Sequence, residues 1–127
     1  MESRELIQHL PDRATFRPDA MTKVDCFRSH RLVVGLNCLE PGQAQAAHTH
    51  AGADKFYVVL RGKATFLIGE REVRAGPGDF IAAPAGIPHG IARAEERTIV
   101  LMAMAPAPSG GGGGGAGGGG GAETSRR

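Results

Sequence analysis

Tryptophan is absent from this chain, tyrosine occurs once, and cysteine occurs only twice, as Cys26 and Cys38. Two cysteines in separate apolar stretches, without C-x-x-C spacing, do not make a disulfide-rich secreted scaffold. Two reduced thiols in a cytoplasmic protein are the expectation, with a single disulfide as the alternative. The chain also lacks charge of one sign, since its formal net charge is only +2. Its basic residues are scattered, with no stripe and no aromatic interleaving, so no nucleic-acid partner is expected. Apolar runs fall well short of the roughly 20 residues of a membrane span. The start, MESRELIQHLPDR, carries charges where the apolar part of a secretory leader would sit, so no membrane partner is expected either.

A sustained helix is missing as well. Ser3 to Leu10 can form one short helix capped by Ser3, with Leu6, Ile7 and Leu10 on one side and Pro11 closing it. From Ser109 the chain reads SGGGGGGAGGGGGAETSRR, which holds eleven of the twenty glycines and nothing apolar larger than alanine. Such a segment cannot bury enough surface to offset the entropy of ordering glycine. The expected organisation is an N-terminal segment (1–14), one β-barrel domain (15–106) and a disordered Gly-rich tail (107–127).

What is present between these ends is a series of short β-prone runs divided by turn residues. They are MTKVDCF, RLVVGLNCL, KFYVVL, KATFLI, REVRA, FIAA, HGIAR and TIVLMAM. The breaks at Arg61-Gly62 and Gly69-Glu70 are tight enough for hairpins. Many short strands without crossover helices indicate an all-β antiparallel sandwich or barrel. In KFYVVL, Phe56, Val58 and Leu60 point to one side, and Lys55, Tyr57 and Val59 to the other. Both sides are largely apolar, so the strand is covered on both, and a homodimer through the outer face is expected.

The residues with metal chemistry are histidines. In H-T-H at 48–50, an extended strand projects His48 and His50 to one face, with Cβ atoms roughly 7 Å apart. Two imidazoles so placed can converge on one ion at about 2.0–2.1 Å. His89 lies in PAGIPHG, where Pro84 and Pro88 stiffen the chain while Gly86 and Gly90 allow close backbone approach. An isolated H-x-H is a weak signal by itself, and a lone histidine is more often a packing or surface residue.

The context of these histidines resembles the two motifs of the cupin superfamily. The first motif is matched by Gly42, QAQAA, His48-Thr49-His50, AGAD, Lys55, FYVVLR and Gly62. The second is matched by Gly78, DFIAA, Pro84-Ala85-Gly86, Ile87-Pro88, His89, GIA and Arg93. Every glycine, proline and histidine of the pattern is in place. Two positions depart from it: Lys55 stands where a glutamate completes the metal sphere, and Arg93 replaces an asparagine that is not a ligand.

The resemblance implies a small single-domain cupin, type 2, built as a jelly-roll barrel (double-stranded β-helix). It also implies one divalent metal ion, Fe, Mn, Ni or Zn, held by His48, His50 and His89. Lys55 is expected to face the interior with Tyr57, which leaves three outcomes open. The ion is held by three neutral histidines with open positions; or Lys55 pairs with an anionic substrate or with Asp54; or metal binding is lost and the histidines become hydrogen-bonding pocket residues. Tyr57 is read first as half-buried packing with a wet hydroxyl and second as a substrate contact. Asp54 should face away, and Glu40, Gln43 and Gln45 lie near the same strand with no role the sequence alone assigns. The function expected is a metal-dependent small-molecule enzyme, dioxygenase-like, acting on an anionic oxygen-bearing substrate; isomerase and decarboxylase chemistry are alternatives. The other class is a non-catalytic protein that binds or senses a small ligand.

Overall fold

A computed structural model of the chain describes residues 6–108. The Gly-rich tail from Ser109, and Ser3 with the rest of residues 1–5, lie outside the described residues. Leu6 is helical but Ile7 to His9 are not, and the described helix, α1, is Leu10–Arg13. Pro11 therefore opens a helical turn instead of closing one. A first-turn proline has its φ already set and lacks only an N–H that no helical carbonyl would accept.

Nine strands follow among the described residues: β1 (Thr22–Arg28), β2 (Val33–Leu39), β3 (Gln45–His48), β4 (Asp54–Arg61), β5 (Ala64–Ile68), β6 (Arg71–Ala75), β7 (Phe80–Ala83), β8 (His89–Ala94) and β9 (Thr98–Ala105). They form two antiparallel sheets, ordered β1-β2-β9-β4-β7 and β3-β8-β5-β6. The chain thus keeps crossing from one sheet to the other, which is the jelly-roll arrangement.

Gly69, with φ +62°, makes the expected hairpin between β5 and β6. The break at Arg61-Gly62 does not make one. β4 already has β9 and β7 as neighbours, and at Gly62 the chain passes into the other sheet. Gly62 takes φ +86°, and a Cβ there would lie 2.2 Å from the Arg97 carbonyl oxygen, so only glycine fits the crossing.

The interior holds Leu39, Tyr57, Val59, Phe66, Ile91 and Val100, all essentially without solvent contact. A second cluster, Leu36, Cys38 and Ile99, lies under Leu10, Ala14 and Phe16 of the N-terminal segment, which covers part of the outer face of the five-stranded sheet. Arg97 stacks over Phe16 at 4.3 Å and grips Glu40 through two bonds of 2.9 and 2.7 Å. That grip holds the Glu40 carboxyl below the usual carboxylate range. Both cysteines are free, Cys38 buried and Cys26 half-buried, and burial pushes both thiols up. No helix among the described residues is long and apolar enough to cross a membrane.

Candidate metal centre

β3 ends at His48, so Thr49 and His50 lie beyond the paired strand, yet the rings of His48 and His50 converge as the H-T-H pattern predicts. The third histidine joins them through pairing between strands. β3 runs antiparallel to β8, and His48 sits directly across from His89. That approach needs a residue without a side chain: a Cβ on Gly90 would lie 2.6 Å from the Gln45 carbonyl oxygen. Glycine at 90 therefore lets the two histidine-bearing strands meet.

The segment carrying His89 is tied down at several points. Ile87 donates its N–H to the Pro84 carbonyl at 3.1 Å, closing a turn in which Gly86 has φ +80°. The Gly86 N–H donates to the His50 carbonyl at 3.0 Å, joining the two motifs directly. The Ala85 N–H donates to the Asp54 carboxylate at 2.9 Å. Asp54 is thus a brace for the loop, turned away from the histidines as its place beside Lys55 requires.

The three imidazoles cluster with ring centroids 4.5, 4.9 and 5.5 Å apart. One nitrogen from each lies within 4.8 Å of the others, and every Nε2 is buried. His48 Nδ1 sits 3.0 Å from the Ala46 carbonyl oxygen, and His89 Nδ1 sits 3.0 Å from that of Ile87. A carbonyl oxygen only accepts, so each of these Nδ1 atoms carries a proton, and a neutral ring then has its lone pair on Nε2. This backbone bracing sets the tautomer a metal ligand needs. The donor set fits a divalent ion: three imidazole nitrogens, two of them oriented by their own hydrogen bonds. Among the described residues no carboxylate joins the cluster.

Lys55 and Tyr57 both point inward from β4, at 3% and 0% exposure. The register places Lys55 across from Ala83 and Met104, and Tyr57 across from Ile81 and Met102. Lys55 Nζ lies 4.8 Å from the Tyr57 ring centre, and the same ring lies 6.3 Å from that of His89. Lys55 and His89 are thus both neighbours of one aromatic side chain. Tyr57 is fully buried, not half-buried, and its hydroxyl is dry: it donates to Gln45 Oε1 at 2.9 Å. Gln45 is the residue that sequence reasoning left without a role. Its inward direction follows from its pairing with the core residue Ile91, which no local pattern announces. Glu40 and Gln43 turn elsewhere, Glu40 to Arg97 and Gln43 to the Glu40 N–H.

The Cupin domain family matches residues 35–104, which includes both motifs. The TT1209 protein of Thermus thermophilus has a similar structure, with 40% identity, a TM-score of 0.77, and coverage of 80% of this chain and 98% of that one. An RmlC-like cupin from Desulfovibrio desulfuricans shares 25% identity at a TM-score of 0.73, covering 79% of this chain and 95% of its own. A double-stranded β-helix protein from Klebsiella pneumoniae, 22% identical at a TM-score of 0.77 over 84% of this chain and 88% of its own, shares the fold. A search of the curated proteins finds no match. On the family match, and on a barrel that brings the histidines of both motifs together, the chain belongs to the cupin family.

Proposed function

We propose that the protein is a metal-dependent enzyme acting on a small anionic, oxygen-bearing substrate, with His48, His50 and His89 as metal ligands and Lys55 and Tyr57 at the substrate. The observation that carries this reading is a cluster of three histidines with no carboxylate among the described residues, with the 3% exposed Lys55 packed on the neighbouring Tyr57 ring. A divalent ion held only by imidazoles keeps its full positive charge in a desolvated interior, and that charge is balanced when the ligand itself is anionic. A bound Fe, Mn, Ni or Zn ion would supply Lewis acidity, and a redox-active one electron transfer as well.

The chain's own residues do the rest. Lys55 places a fixed positive charge against the substrate's anionic group. The Tyr57 ring lies under Lys55 Nζ and lines the substrate's place between the two sheets, and the buried surroundings exclude bulk water. With no carboxylate in the cluster to act as general base, the chemistry favoured is oxidative cleavage of a C–C bond, both atoms of O2 entering the products. The same lack also favours a second reading, a non-catalytic protein that binds or senses such anions. Oxygen uptake by the iron-loaded protein, screened over diketones, catechols and thiols, separates the two. Uptake above the metal-free rate with one substrate class supports the enzyme; a silent panel with measurable ligand binding supports the binder.

The protein is also proposed to be a cytoplasmic homodimer. The part of the outer sheet face not covered by the described N-terminal residues carries an apolar groove lined by Leu32, Phe56, Phe80, Ala82 and Ala103, with Lys55 also on its wall. Phe80 is 63% exposed and stacks on Phe56 at 5.1 Å. A two-fold dimer would bury this apolar patch of one copy against the same patch of the other. Light scattering coupled to size exclusion should give twice the chain mass, falling to the chain mass for Phe80→Glu; a monomeric wild type removes the idea.

A further inference from the structure

The barrel interior holds more hydrogen-bond donors than the metal reading uses. Gln45, on β3 with His48, is 7% exposed. Its Oε1 accepts from the Tyr57 hydroxyl, which leaves the NH2 end of the same carboxamide to find an acceptor. The described residues offer none: Nε2 is buried without a hydrogen-bond partner among them. Asn37 repeats the pattern at 2% exposure, with a buried Nδ2 that has no partner among the described residues. Alternation along β2 places Asn37 on the same face as Leu39, which belongs to the interior cluster. A leucine in either place would avoid the loss that an unmatched buried donor imposes.

The unmatched groups of these two residues are N–H donors. They are matched by acceptor oxygens, and an ionised carboxylate supplies two of them and no donor. The register also gives a depth. Gln45 pairs with Ile91 and His48 with His89, so Gln45 lies one two-residue repeat of β8, about 7 Å, further along the barrel than the histidines.

We propose that Gln45 is a substrate-binding and specificity-determining residue: its carboxamide, oriented by the Tyr57 hydroxyl, donates Nε2–H to a carboxylate oxygen of a ligand whose other end lies at the histidines. This rests on the anionic-ligand reading above and narrows it to a class. The ligand is a short carboxylic acid, roughly four carbons long, with a second oxygen-bearing group at the far end.

The test is two-dimensional NMR of the full chain, both metal-free and zinc-loaded, titrated with succinate and with the neutral succinamide. The Gln45 side-chain NH2 pair is identified by its disappearance in Gln45→Leu. Succinate should move that pair downfield in the wild type, and Gln45→Leu should bind succinate at least about tenfold more weakly. Succinamide should bind poorly and equally to both. Gln45→Glu keeps the acceptor for Tyr57 but buries a carboxylate, so it should be less stable than the wild type and should reject succinate.

Three results would overturn the proposal: an NH2 pair that stays still while succinate moves other barrel signals, a Gln45→Leu variant that binds succinate as well as the wild type, or a wild type that binds no succinate in either form. Zinc uptake is read separately. If zinc fails to bind while succinate still moves the Gln45 amide, the metal reading fails and this one stands. If zinc binds and succinate ignores Gln45, this one fails alone.

Discussion

Protein purified without chelator should carry one divalent ion per chain, and His89→Ala should carry none. His89 is 1% exposed, faces His48 across the β3–β8 pair, and has its Nδ1 fixed by the Ile87 carbonyl. Loss of an outer hydrogen-bond partner typically weakens metal binding by about 10–100-fold. Removing a ligand from a set of three should therefore cost at least about 100-fold, enough to empty the site during purification. His48→Ala should behave the same way. His89→Gln keeps most of the volume and should fold without metal, which separates loss of a ligand from loss of packing. Elemental analysis gives the stoichiometry, and the melting temperature with and without added metal gives the coupling to folding. Stoichiometric metal retained in His89→Ala would remove that residue from the site. A wild type with no metal and no thermal response to any of the four ions would remove the centre altogether.

Lys55→Glu should bind metal more tightly than the wild type, by at least about 100-fold. The exchange replaces a buried positive charge with a negative one in the same interior as the histidines, and a unit charge and a dication within about 10 Å of each other interact by a few kcal/mol even at an effective dielectric near 20. Without metal, the same variant should be less stable, because a buried carboxylate with no cation costs several kcal/mol. Its melting temperature should therefore respond to metal more steeply than that of the wild type. Lys55→Met should fall between the two in metal affinity and lose selectivity for anionic ligands. A Lys55→Glu variant with unchanged or weaker metal affinity would mean that the ammonium does not face the ion's position.

Much of the barrel is legible in the sequence because its causes are local. Period-two alternation places Lys55, Tyr57 and Val59 on one face of β4, and their burial follows it. The strand limits fall at the expected turn residues, as with Gly69 between β5 and β6. The failures share another cause. Whether Arg61-Gly62 makes a hairpin depends on β9 and β7 occupying both edges of β4, and no residue near the turn records that. His50 leaves the strand, yet its carbonyl holds Gly86, a contact between the two motifs. The dry hydroxyl of Tyr57 depends on a glutamine from the opposite sheet.

The sequence by itself determined the barrel class and singled out the three histidines and the lysine at position 55, since motif spacing and alternation are properties of short stretches of chain. Tertiary structure alone decided that the three imidazoles meet, that two of them present Nε2, and that Gln45 turns inward beside Tyr57. Each of these needs β3 against β8, or one sheet against the other, and such pairings are selected by the packing of the whole barrel.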